Sequence, residues 1–510
     1  MFTRKSVWSA GGDFSDPTLL WYAKGVAVLK QRPIADPTSW SFLAAMHGMD
    51  NNLWIQLGYL NATQPLPDPS VQDSYWKQCQ HQSWYFLPWH RGYLYSLESI
   101  VRAAVIQAGG PADWALPYWN YSDQTNPNAR DLPPAFSQQT MPDGTPNPLY
   151  VPQRYGQQKG TLPLPTGDVA LTALQSTFFT GSNTGGDPGF GGPATPFSHS
   201  GNTSGNLESL PHNIVHVDVG NYLRGGVTAT DLGLMTNPDT AALDPIFYLH
   251  HANIDRLWEV WLNRNSANQN PTDSAWLNGP ADRGFIVPMA DGQGWPYTAN
   301  DVLSTTTLGY DYDDIQDPLS GATARTTRLT QLGRASDVSF SLSGGDEAMT
   351  DKQRAELIGA NSDKLTLLGS SVSTRVHLDE PMMQQTSVSF DLSADVPEPD
   401  HIYLNLENIR SDVDGQVIDV YVSPPGADHA ESQVGSVALF GVRKASQSDQ
   451  PHGGMGVTQV FDITHVVDAL YLEGGLIDLS SLEVHLRPRD ALTEEHNVTV
   501  ERISIYREGK

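Results

Sequence analysis

Apolar residues at helical spacing mark two long helices in the first part of the chain. In "LPWHRGYLYSLESIVRAAVIQAG", Leu94, Leu97, Val101 and Ala104 recur at spacings of three and four. Pro88 stands near the start of this helix and Gly109 just past its end. In "LDPIFYLHHANIDRLWEVWLNRN", Asp244 is placed to cap a second helix with Pro245 in its first turn, so Phe247, His251, Ile254 and Trp258 share a face. Between the two lie loops rich in Gly, Pro and Asn, such as 181–206; loops of that length move or wall an active site. From about residue 335 the pattern turns to alternation. The segments at 338–343, 387–393, 402–407, 417–423, 482–488 and 498–507 read as half-buried strands separated by turn residues. The pattern predicts a mainly α-helical unit followed by an all-β sandwich.

Composition sets bounds on this picture. A chain of 510 residues is too long for one ordinary core, and 39% hydrophobic with 17% charged residues suits a globular protein. No apolar run is long enough for a membrane span. The opening stretch "MFTRKSVWSAGGDFSDP" has no apolar secretory core, and the expectation is a cytoplasmic protein. A net charge of −27 argues against nucleic acid or an anionic membrane as a partner. The single cysteine, Cys79, excludes intramolecular disulfides.

Histidines carry the candidate chemistry. His212 and His216, in "LPHNIVHVDVG", sit one helical turn apart, so both imidazoles reach one metal; a purely structural pair fits the same spacing. His251 falls on the apolar face of its helix, where a buried imidazole needs a polar partner. His47, in "FLAAMHGMDNN", and the pair His81 and His90 repeat that logic. Two groups of neutral imidazoles with no thiolate set suit copper better than magnesium or calcium, and zinc stays open on ligand type alone. The histidines of the tail are widely spaced, and they and His199 read as surface or packed residues.

At this point a resemblance becomes specific. "HQSWYFLPWHRGYLYSLE" resembles the first copper signature of the tyrosinase superfamily, with W-H-R and a glutamate, Glu98, beyond the second histidine. "DPIFYLHHANID" resembles the second signature, and "LPYWNYSD" and "YDY" at 310–312 are further similarities. The strong resemblance covers about residues 1–315, and the tail is more loosely similar to the C-terminal domain of plant-type polyphenol oxidases.

The resemblance implies a type-3 dicopper enzyme. It implies a four-helix bundle over residues 1–318, a linker at 319–334 and a shielding domain over 335–510. One copper ion would be held by His47, His81 and His90, the other by His212, His216 and His251, with His250 a packing neighbour. Cys79-Gln80-His81 matches the Cys-x-His motif in which a thioether joins cysteine and ligand, fixing the imidazole; a buried free thiol is the alternative. Glu208 and Asn213 stand where relatives hold a water that takes the phenol proton, although a loop glutamate and a capping asparagine fit as well. Pro238 takes the place of a bulky entrance residue. The implied activity uses O2 to hydroxylate monophenols and oxidise o-diphenols to o-quinones, latent until the tail is displaced. A diphenol-restricted catechol or o-aminophenol oxidase and a haemocyanin-like oxygen carrier remain alternatives. The expected plug is Met455, or else Leu439 or Phe440, and Arg325 and Arg328 are the expected protease targets in the linker.

Overall fold

A computed structural model describes residues 1–509 apart from residues 77, 198–200, 224–225, 227, 320–327, 330, 333–354, 391–399, 427–430, 449–452 and 474–479. The segment expected as a strand at 338–343, Arg325, His199 and most of the expected linker lie outside the described residues.

The helical part is organised by Pro17–Gln31, Trp40–His47, Phe86–Gln107, Ile214–Gly220 and Ile246–Arg264. Local signals start them. The Asp16 side chain accepts from the Thr18 N–H, Ser39 from Phe42, and Asp244 from Ile246 at 3.1 Å. Gly109 lies past Gln107 with φ +85°, in the left-handed region that favours glycine. The helix Ile246–Arg264 is buried on every side from Ile246 to Trp258, so it lies inside the core rather than on it.

Buried charges tie the two long helices together. Asp255 accepts from Arg91 at 2.5 Å, from Tyr310 at 2.7 Å and from Tyr312 at 2.5 Å, and Arg4 adds a contact at 3.2 Å. Arg4 closes the strand Phe2–Arg4, which pairs in parallel with Tyr310–Tyr312. Removing one member of such a buried set costs about 3–5 kcal/mol, because a charge is left unpaired. Arg91 follows His90, and Asp255 lies one turn beyond His251, so this network fixes the helices that carry both histidines.

Among the described residues of the tail, nine strands form one sheet, not two separately bonded ones. Its order is Ser432–Ala438, Val417–Ser423, Ser481–Pro488, Val372–Leu378, Glu356–Ala360, Thr499–Glu508, His401–Arg410 and Val457–Asp462, with Leu365–Thr366 on Thr499–Glu508. The edges curl toward each other: a Cβ on Gly435 would meet the Phe461 ring at 2.6 Å. The domain is β-rich rather than all-β, for helices Glu380–Phe390 and Thr464–Leu472 belong to it. Residues 387–390, expected as the start of a strand, end the first of these. Asp379 accepts from the Met382 N–H, Pro381 sits in the first turn, and Met383, Thr386 and Ser389 bury one face. The strands at 402–407, 417–423, 482–488 and 498–507 lie where alternation put them.

Buried apolar side chains form two cores, and Val417, Ala438 and Phe440 of the tail join the helical one. Across the interface Arg489 pairs with Asp168 at 2.5 Å, and the Thr458 N–H donates to the Asn202 carbonyl at 2.6 Å. Arg328, expected as a protease target, is buried and paired with Asp468 at 2.8 Å. No described helix is long and apolar enough to cross a membrane.

Candidate metal centre

His47 ends the helix Trp40–His47. Its Nδ1–H donates to the Pro238 carbonyl at 2.8 Å. Gly48 makes that approach possible, since a Cβ there would meet the Pro238 oxygen at 2.6 Å. His90 sits in the first turns of Phe86–Gln107 and donates to the Phe86 carbonyl at 2.8 Å. His81 comes from the loop before that helix. Its neighbour Gln82 has φ +48°, a rare conformation for a side chain other than glycine. Glu208 holds it there: the Gln82 N–H donates to both carboxylate oxygens, at 2.9 and 3.0 Å.

His212 and His216 share one face with ring centroids 4.6 Å apart. His212 Nδ1–H donates to Asn213 Oδ1 at 2.9 Å, and His216 Nδ1–H to the Met235 carbonyl at 2.8 Å. His250 and His251 complete the group; His250 Nδ1 lies 3.3 Å from the Tyr121 hydroxyl. All eight side chains, Cys79 included, are buried, and in each group of four the ligand atoms lie within 4.8 Å of one another. The groups abut, for the rings of His90 and His251 stack with centroids 4.3 Å apart.

These residues fit a pair of metal ions. Anchoring Nδ1 on an oxygen fixes the tautomer and aims an unprotonated Nε2 inward. The Nε2 atoms of His47 and His212 are buried with no hydrogen-bond partner, a costly state without a ligand. His216 Nε2 and His251 Nε2 are 3.3 Å apart, the spacing of two nitrogens about 2.0–2.1 Å from one tetrahedral metal. Burial holds the imidazoles in the neutral form that binds metal: His47 is lowered to about 4 and His212 to about 3. Burial drives His90, His216, His250 and His251 well below the usual histidine range. Burial also raises the Cys79 thiol, with Glu208 adding to the effect, so the donors are imidazoles rather than thiolate. Six or more imidazoles without carboxylate ligands suit copper.

Cys79 Sγ lies 3.6 Å from His81 Nδ1 and 4.0 Å from Nε2, the two atoms that flank Cε1. It lies equally close, 3.6 Å, to His90 Nε2. Pro238 is half-buried, and its ring faces Gly441 of the tail. Phe440 of the tail lies against both groups. Its ring stacks on His216 at 4.2 Å between centroids and 22° between planes, and meets His81 and His212 edge-on at 5.7 and 5.8 Å. Met455, the expected plug, is instead 43% exposed: Gly453, Gly454 and Gly456, all with positive φ, carry its loop outward. Leu439 is buried in the core of the tail. His250, set aside in the sequence, lies inside the second group, and its adjacency to His251 was the available signal.

The chain is similar to known proteins over its whole length. The common central domain of tyrosinase matches residues 37–184 and 183–264, and a domain of unknown function (DUF7868) matches 354–508. A tyrosinase of Hahella sp. (strain CCB-MM4) is 33% identical over 523 aligned positions, covering 100% of both chains. The chain belongs to the tyrosinase family. Within this type-3 copper family the chloroplastic polyphenol oxidase of Malus domestica is 26% identical over 80% of this chain, which spans 64% of the apple protein. Latent apple tyrosinase has the same fold, with a TM-score of 0.58 at 22% identity over 100% of this chain and 97% of that one. The tyrosinase from Burkholderia thailandensis is similar at 0.50 and 16%, over 96% and 95%. The chain is thus a tyrosinase-family copper oxidoreductase with a C-terminal domain, and its family implies O2 and phenols as substrates.

Proposed function

We propose that this chain is a latent polyphenol oxidase acting on both monophenols and o-diphenols, with residues 1–318 as catalytic domain on a four-helix frame, 319–334 as linker and 335–510 as lid. His47, His81 and His90 would hold one copper ion and His212, His216 and His251 the other. Bound copper supplies activation of O2 and the electron transfer that turns the phenol into an o-quinone. The protein supplies a dry, pre-oriented pocket. Phe86 and Phe247 wall it, with ring centroids 4.8 Å from His212 and 4.2 Å from His251. Cys79 would lock His81 through a thioether.

The observation that carries latency is the Phe440 ring lying flat on His216. An aromatic ring on those imidazoles excludes a phenol from the same place. Glu208 would take the phenol proton in the monophenol step above about pH 8, to which burial raises its carboxyl, while a free phenol titrates near 10. The same value favours a second reading, a diphenol-restricted catechol oxidase, because at neutral pH Glu208 keeps its proton.

Steady-state rates with L-tyrosine and L-DOPA, before and after limited proteolysis in 319–334, test the proposal. Both substrates should be oxidised, and both rates should rise several-fold once the linker is cut, with copper retained. Oxidation of DOPA alone would select the second reading. Inactivity of the cut, copper-loaded enzyme on both would overturn the proposal.

A further inference from the structure

The tail brings a second group to the helical part. Lys444, on the short helix Val442–Ala445 that follows Phe440, sets its Nζ 2.8 Å from Asp239 Oδ1. Asp239 follows Pro238, whose carbonyl orients His47. Its Oδ1 lies against Gly48, where an added Cβ would meet it at 2.9 Å. The Asp239 side chain is 10% exposed and that of Lys444 33%, so the pair is partly open to solvent. Arg443, the neighbouring cation, turns back to Asp414 within the tail at 3.6 Å. One short segment thus places an aromatic ring on the histidines and an ammonium on the Asp239 carboxylate. When that segment leaves, a nearly buried carboxylate loses its counter-ion, and such a group gains most from a new cation.

Resting on the lid reading above, we infer that Asp239 is a specificity-determining residue that selects phenols carrying a cationic amine side chain over phenolic acids. In the closed chain Phe440 takes the place of the substrate ring and Lys444 that of its amine. A charge-assisted hydrogen bond formed only by amine substrates corresponds to about tenfold or more in relative kcat/KM.

The test uses the full-length, copper-loaded Phe440→Ala/Lys444→Ala variant with dopamine, dihydrocaffeate and neutral methylcatechol. It should oxidise methylcatechol faster than the parent chain and prefer dopamine over dihydrocaffeate by about tenfold. Adding Asp239→Asn should abolish that preference, and Asp239→Glu should keep it. A fold defect lowers all three substrates together and leaves the ratio intact. Calorimetry on the metal-free variant should show phenethylamine binding more tightly than hydrocinnamate only when residue 239 is acidic. No charge preference, or one that survives Asp239→Asn, would overturn the inference and leave the lid reading standing. Failure of the double variant to gain methylcatechol oxidation would overturn the lid reading and this inference with it.

Discussion

His212 and His216 stand one turn apart on consecutive helical residues, and their partners His250 and His251 come from a single neighbouring helix. His47, His81 and His90 come from a helix end, a loop and a helix start. In the first arrangement helical periodicity brings the rings of His212 and His216 near each other, and packing of two helices adds His250 and His251. The second depends on contacts between remote residues. Pro238 must reach His47 over Gly48, and Glu208 must hold Gln82 in a left-handed conformation. The family's two metal positions are therefore built with unequal tolerance: the His47–His81–His90 position should fail through its supports, the His212–His216–His251 position mainly through its ligands.

The largest effect should come from a ligand. His251→Ala should lose one copper per chain and all oxidase activity, whereas His250→Ala should keep both ions, as metal analysis beside a DOPA assay would read out. The reverse pattern would exchange the two assignments. Next comes a support. Glu208→Ala removes the acceptor of the Gln82 N–H, which costs about 1–3 kcal/mol. It should weaken copper at the His47–His81–His90 position about 10–100-fold while sparing the other, in line with loss of outer-shell partners elsewhere. A competitive chelator titration resolves the two sites, and equal weakening of both would break the comparison.

A smaller effect follows from pH. Histidines whose folded pKa is depressed take up protons first in the unfolded chain, so their stability contribution is full above the usual 6.5 and fades as pH falls toward about 4 for His47 and 3 for His212. Glu208, raised to about 8 from 4.5, acts in the opposite sense. Its contribution is full below 4.5 and is lost as pH rises through 8. Several histidines outweigh one carboxyl, so the Tm of the metal-free protein should peak near neutrality and fall more steeply on the acid side. Glu208→Gln should flatten the alkaline limb; an unchanged limb would remove Glu208 from this account. The smallest change concerns Cys79. If it is joined to His81, mass spectrometry will find the tryptic peptide two hydrogens lighter and refractory to alkylation after denaturation. Quantitative alkylation would leave a free thiol.

The same division governs what the sequence made legible. The helices Phe86–Gln107 and Ile246–Arg264, the His212–His216 turn and the tail strands His401–Arg410, Val417–Ser423, Ser481–Pro488 and Thr499–Glu508 follow from local periodicity, and local periodicity is visible in one chain. The helix Glu380–Phe390 was hidden because Asp379 and Pro381 start it before an alternating segment, and its end overrides the alternation. Phe440 ranked behind Met455 because both stand beside glycines, and only the fold distinguishes a loop turned inward from one turned out. The hold of Glu208 on Gln82 spans 126 positions and carries no local pattern.

Two histidine groups of unequal construction should each hold a copper ion. Metal analysis of the full-length chain, loaded with copper and then dialysed against a graded series of chelator, tests it most directly. Two copper ions per chain should leave in two separate steps, with only the step from the His47–His81–His90 position moving to weaker chelator in Glu208→Ala. A single copper per chain, or two that leave together in both proteins, would contradict it.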